Sequence, residues 1–195
     1  MSARNRTGWQ EKANTKGANA EKLFHQAFDF GLSEEFVIES KPKDFNNLYQ
    51  SVELSDQTLS EIYTPDKKIT RHGISPDYAI RNINTGKSLF VEVKRQDGWV
   101  EGGVRADGRG NAHERCLKYF APGLIRSLRE ASGIEAPALP FWVVFQGNIT
   151  RDPCRVREVS LWFEGVEEHM FMWRPSHGET EILEHFNKNL KGLLE

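Results

Sequence analysis

Gly73 to Trp99 reads GISPDYAIRNINTGKSLFVEVKRQDGW. Two apolar runs, Tyr78-Ala79-Ile80 and Leu89-Phe90-Val91 with Val93, flank the polar stretch Asn82 to Lys87. Asn84-Thr85-Gly86 is a turn signal, so the pattern predicts an antiparallel hairpin. Glu92 and Lys94 are two apart and leave one face of their strand. Asp77 opens the facing strand, behind Pro76, which sets the entry to it. Three charges are thus expected on one face of an apolar ribbon. Converging carboxylates repel unless positive charge sits between them. A hard divalent cation does this well, and it also suits phosphodiester hydrolysis, by lowering the pKa of bound water and neutralising phosphoryl charge. The plainer alternative is a surface hairpin with ordinary ion pairs, since 28% of the chain is charged. Against it, Val91 and Val93 flank Glu92, as on a half-buried strand.

Outward from the hairpin, Asp97 to Gly110 carries Gly98, Gly102, Gly103, Gly108 and Gly110, together with Arg105 and Arg109. Such a run is an unremarkable loop, or one that a ligand orders. It leads into GRGNAHER, residues 108–115. Asn111 is expected to start a helix through Cys116, Leu117, Phe120, Leu124 and Leu128, kinked or split at Pro122. A helix start that bears Asn and Arg can enter a major groove, where Asn pairs with adenine and Arg with guanine. His113 and Glu114 are expected either to orient neighbouring groups or to make structural hydrogen bonds.

Ser75-Pro76-Asp77 with Val91-Glu92-Val93-Lys94 resembles the PD-(D/E)xK nuclease signature. Gly110 to Arg115 is similar to the GNAxER segment of the EcoRI-like group of Type II restriction endonucleases. KRQDGWVEG, GRGNAHER, LPFWVVF and ITRDP extend the resemblance from about Lys41 to the C-terminus. It implies an α/β fold, a restriction-endonuclease-like core with a mixed sheet of about five strands flanked by helices. It implies Mg2+ (Mn2+ may substitute) held by Asp77, Glu92 and the Val93 carbonyl, with Lys94 positioning water. It also implies that Asn111, Ala112 and Arg115 read inner AATT bases and that Arg109 reads the outer pair of CAATTG. Gly110, His113, Arg105 and Lys94 complete the candidate DNA-binding set. Expected partners are double-stranded DNA, a second copy in a two-fold homodimer, and a cognate DNA methyltransferase. The alternatives are a catalytically silent DNA-binding module, or another PD-(D/E)xK nuclease. The intact acid–acid–lysine set opposes the first, and the base-reading segment opposes the second.

The totals are consistent with this and do not decide it. The 195 residues suit one domain with a substantial core. Residues 1–15 are expected as a flexible arm and 16–195 as a single endonuclease domain. The net charge of −2 does not advertise DNA binding, although Lys94, Arg95, Arg105, Arg109, Arg115 and Lys118 make the middle basic. No run is long and apolar enough for a membrane span. Cys116 and Cys154 are read as reduced thiols of a prokaryotic cytoplasm.

Elsewhere the spacing predicts an amphipathic helix over 17–30, with Glu21 on it as a solvated residue or a metal helper. A strand is expected at 36–38, a polar connection at 41–49 and a helix at 54–63 capped by Ser55. His72 is at most a remote candidate base. A buried strand is expected at 139–145, a turn or short helix at Asp152-Pro153, strands at 159–163 and 170–173, and a final helix at 180–194.

Overall fold

The computed structural model describes residues 6–64, 66–67, 71–105 and 110–195. Five strands form one sheet in the order β1 (Phe36–Ser40), β2 (Tyr78–Asn82), β3 (Ser88–Arg95), β4 (Phe141–Gln146) and β5 (Met170–Trp173). β1, β2 and β3 pair antiparallel, whereas β3, β4 and β5 pair parallel. The hairpin forms as its sequence directs. Asn82 closes the turn by accepting from the Asn84 and Thr85 amides at 2.8 and 3.2 Å, and Gly86 takes a φ of 75°. β4 is buried at all six positions, as a strand covered on both faces should be.

Alternation along the strands divides the core in two. Leu89, Val91, Val93, Trp142 and Val144 pack with Phe24 and Phe28 of α1 (Arg6–Gly31) and with Ile182 of α5 (Glu179–His185). Phe90, Phe141, Val143 and Phe145 face the other way, onto Tyr119, Leu124, Leu128 and Val159. Ala79 lies on that second face, so Asp77, two residues before it, and Glu92 and Lys94, two and four after Phe90, share it.

Three expectations are corrected. α1 begins at Arg6, so the backbone of residues 6–15, expected to be loose, is helical. Val159–Phe163 is not a strand, because α4 runs Pro153–Trp162. Asp152 caps α4 by accepting from the Cys154 and Arg155 amides at 3.1 and 3.4 Å, and Pro153 fills a first position where a missing N–H costs nothing. The helix expected from Asn111 is a 3-10 segment, Ala112–Phe120, that stops at Ala121 before α3 (Pro122–Ser132). Its buried residues are His113, Cys116 and Tyr119. A spacing of three puts these side chains on one line in a 3-10 helix, which an α-helix would not do. Pro122 splits the two helices because its ring disfavours helical backbone at the residue before it.

Ser55 caps α2 (Asp56–Glu61) through the Thr58 amide at 3.2 Å. The final helix continues from α5 as a π-helical turn, Phe186–Leu190, burying Ile182, Phe186, Leu190 and Leu194. No helix among the described residues is long and apolar enough to cross a membrane.

Candidate active site

β2 begins at Tyr78, paired with Val91, and β3 runs on past it. At this unpaired end the Asp77 side chain takes the place of a strand partner, its Oδ2 accepting from the Val93 amide at 2.9 Å. Glu92 and Lys94 rise from β3 on the same face. The Lys94 ammonium lies 3.7 Å from Asp77 Oδ2, forms a close ion pair with Glu92 Oε1 and stands 3.5 Å from the Val93 carbonyl oxygen. Asp77 and Glu92 are only 7% and 5% exposed. The three charges singled out in the sequence therefore meet at one ammonium.

Two supports for these acids went unread in the sequence. The Tyr119 hydroxyl, itself buried, donates to Glu92 Oε2 at 2.7 Å. Burial, the Glu92 charge and this hydrogen bond push the Tyr119 pKa far above its ordinary value, so it remains a donor. Lys41, just past β1, reaches Asp77 Oδ1 at 2.5 Å and Glu21 Oε2 at 2.9 Å. Burial alone would lower the Lys41 pKa, but the hydrogen bonds to Asp77 and Glu21 raise it above the usual lysine value. Glu21, a marginal candidate in the sequence, is thus tied to the site through Lys41. Tyr78 beside them has its pKa raised to about 12, by burial first and then by the Glu21 charge. His72 is exposed, with its ring against Tyr49, 5.1 Å between centroids.

Gly110 and His113 are fastened to the residue just past β3. Gln96 is buried two residues past Lys94. Its amide Nε2 donates to the Gly110 carbonyl. Its Oε1 lies 3.4 Å from the His113 amide and 3.1 Å from His113 Nδ1. His113 Nε2 faces Glu158 Oε2 at 3.1 Å, and Trp162 stacks on the ring at 5.4 Å. Both atoms facing the ring are acceptors, so only the imidazolium would fill both contacts. Burial opposes that charge and lowers the His113 pKa overall.

His113, included among the candidate DNA contacts, is fully buried, with its ring between Gln96 and Glu158. Asn111 precedes the 3-10 segment without capping it, and its side-chain nitrogen donates to Glu114 Oε2 at 2.8 Å. Arg115 is exposed, as is Arg105, whose guanidinium stands 5.7 Å over the Trp99 ring. Gly110 is half-buried, and Ala112 is described in its backbone only. Arg109 lies outside the described residues.

Comparison with known proteins identifies the family. The sequence family described as Type II restriction enzyme MunI matches residues 1–195. A Mycoplasma sp. protein named Type II restriction enzyme MunI is 46% identical over 194 residues, 97% of this chain and 96% of that protein. The crystal structure of MunI restriction endonuclease in complex with cognate DNA matches with a TM-score of 0.80 at 44% identity, covering 100% of both chains. By these matches the chain belongs to the MunI family of Type II restriction endonucleases.

Proposed function

We propose that this enzyme cuts both strands of double-stranded DNA at CAATTG, after the first base, leaving 5′ AATT overhangs. It acts as a two-fold homodimer, each subunit reading one half-site, and a cognate DNA methyltransferase protects the host sites. The observation that carries the reading is the single Lys94 ammonium that touches both Asp77 and Glu92. These carboxylates, with the Val93 carbonyl beside them, form an all-oxygen donor set that fits a hard divalent ion, Mg2+ or Mn2+ in its place.

When bound, the ion lowers the pKa of water and neutralises charge on the phosphoryl group. Asp77 and Glu92 hold it, kept in place by the Val93 amide and the Tyr119 hydroxyl. Lys94 Nζ positions the attacking water and stabilises negative charge that develops at phosphorus. Asn111, Ala112 and Arg115 read the inner bases, Arg109 reads the outer pair, and Gly110 and Arg105 lie against the backbone.

The test is to digest phage DNA with the protein and Mg2+ and to sequence the fragment ends. Ends at C^AATTG are expected, and Asp77→Ala or Glu92→Ala should abolish cutting while remaining folded. Near wild-type cleavage by either variant would remove the metal assignment. Arg109→Ala should lose about 1–3 kcal/mol of discrimination at the outer pair, and unchanged preference for CAATTG over GAATTC would remove Arg109 as its reader.

A further inference from the structure

The run after β1 reads in sequence as a polar connection, yet its first residue is held in an uncommon conformation. Lys41 has a φ of 51° and is the one non-glycine with positive φ among the described residues. L-residues take that conformation rarely, and only where their surroundings hold them there. The surroundings here are Asp77. The Lys41 amide donates to the Asp77 carbonyl at 2.9 Å, and its ammonium pairs with Asp77 Oδ1 and Glu21 Oε2.

We propose that Lys41 is a positioning residue whose ammonium stands in for the divalent cation at Asp77 and must yield when the cation binds, so that Lys41 sets the metal affinity. This rests on the metal reading given above. Glu21, Asp77 and Glu92 carry three negative charges against the two positive charges of Lys41 and Lys94, which leaves the site short of one positive charge. Of the two ammoniums, Lys94 is enclosed, its side chain 18% exposed, whereas that of Lys41 is 50% exposed. Lysine is a compact charge on a flexible stem. Lys41 can therefore leave Asp77 while retaining Glu21, which makes Glu21 the acceptor that keeps the displaced ammonium nearby. A purely structural lysine would need no second acceptor off the metal site.

The experiment measures Mg2+ binding to the DNA-free protein by calorimetry. Removing the competing charge should make Lys41→Met and Lys41→Gln bind Mg2+ several-fold more tightly than wild type, whereas loss of a merely structural contact would weaken binding. Asp77→Asn should lose this binding. If Asp77→Asn loses binding but both Lys41 variants bind unchanged or more weakly, the Lys41 proposal fails and the metal reading stands. If wild type and Asp77→Asn bind alike, the metal reading fails and takes this proposal with it. A second measurement needs no variant. Acylation of Lys41, followed by mass spectrometry, should speed up several-fold on adding Mg2+ to wild type, and an unchanged or slower rate would overturn the proposal.

Discussion

Replacing Gln96 by Met should separate reading from cutting more cleanly than any change in the acids. Met keeps the length of the buried side chain and removes every polar contact it makes. The half-buried Gly110 carbonyl loses a donor and can turn to water, at about 0.5–1.5 kcal/mol. The fully buried His113 loses the oxygen 3.1 Å from its Nδ1, and a buried polar group left without its partner costs about 1–3 kcal/mol. The sum, about 1.5–4.5 kcal/mol, falls on the tie between β3 and the segment 110–115. Denaturant unfolding should show part of it as lost stability. The rest should appear in single-turnover cleavage, where the preference for CAATTG over sites changed at one base falls by tenfold or more. Lys94, two residues away with its own contacts to Asp77 and Glu92, remains in place. A folded Gln96→Met enzyme with the selectivity of wild type would refute the idea that Gln96 holds the reading segment.

Tyr119→Phe fills the same volume and deletes only the hydroxyl that donates to Glu92, so stability to urea should fall by about 1.5–3 kcal/mol, as for a hydrogen bond to a charged acceptor; a loss within error would mean that Glu92 does not depend on it. His169 predicts acid sensitivity. Fully buried, it accepts the Leu139 amide at Nε2 (3.1 Å) and faces the Phe141 carbonyl oxygen with Nδ1 (2.9 Å), an arrangement that suits the neutral ring. Its pKa is lowered, by burial above all, so the unfolded chain binds the extra proton first. Stability should fall as pH drops below about 6.5, by up to about 1.4 kcal/mol per pH unit from this group, and unfolding curves that do not shift between pH 7.5 and 5.5 would contradict it. Asp152→Ala removes the cap of α4 and should cost about 0.5–2 kcal/mol in thermal unfolding, whereas Asp152→Asn should retain most of it.

The hairpin and its three charges were legible because strand period, turn chemistry and apolar flanks all point to one register. Asp77, Glu92 and Lys94 needed no distant information, since two lie on one strand and the third opens its neighbour. Tyr119 and Lys41 were not legible, because each meets its carboxylate only after the chain has crossed the sheet or left its edge. Gln96 stands just beyond Lys94 in the sequence, but its use depends on Gly110 and His113, 14 and 17 residues further on. The line His113, Cys116 and Tyr119 was not legible, because a histidine and a tyrosine make no apolar stripe and the spacing of Cys116, Phe120, Leu124 and Leu128 points to an α-helical period. Val159–Phe163 misled for the opposite reason. Its β-branched and aromatic residues favour strand locally, whereas Asp152-Pro153 is a helix start whose effect extends ten residues onward.

The 3-10 geometry of 112–120 carries a consequence for how this region tolerates length variation. With three residues per turn and a rise of about 2 Å each, losing one residue between His113 and Tyr119 would rotate the phenol by a third of a turn, off Glu92. Losing three would keep the phenol on its line while drawing it back by about 6 Å. Neither deletion leaves both ends of the segment in contact with β3, so natural length changes among relatives should gather in the preceding glycine-rich loop and leave the spacing from Gly110 to Tyr119 constant.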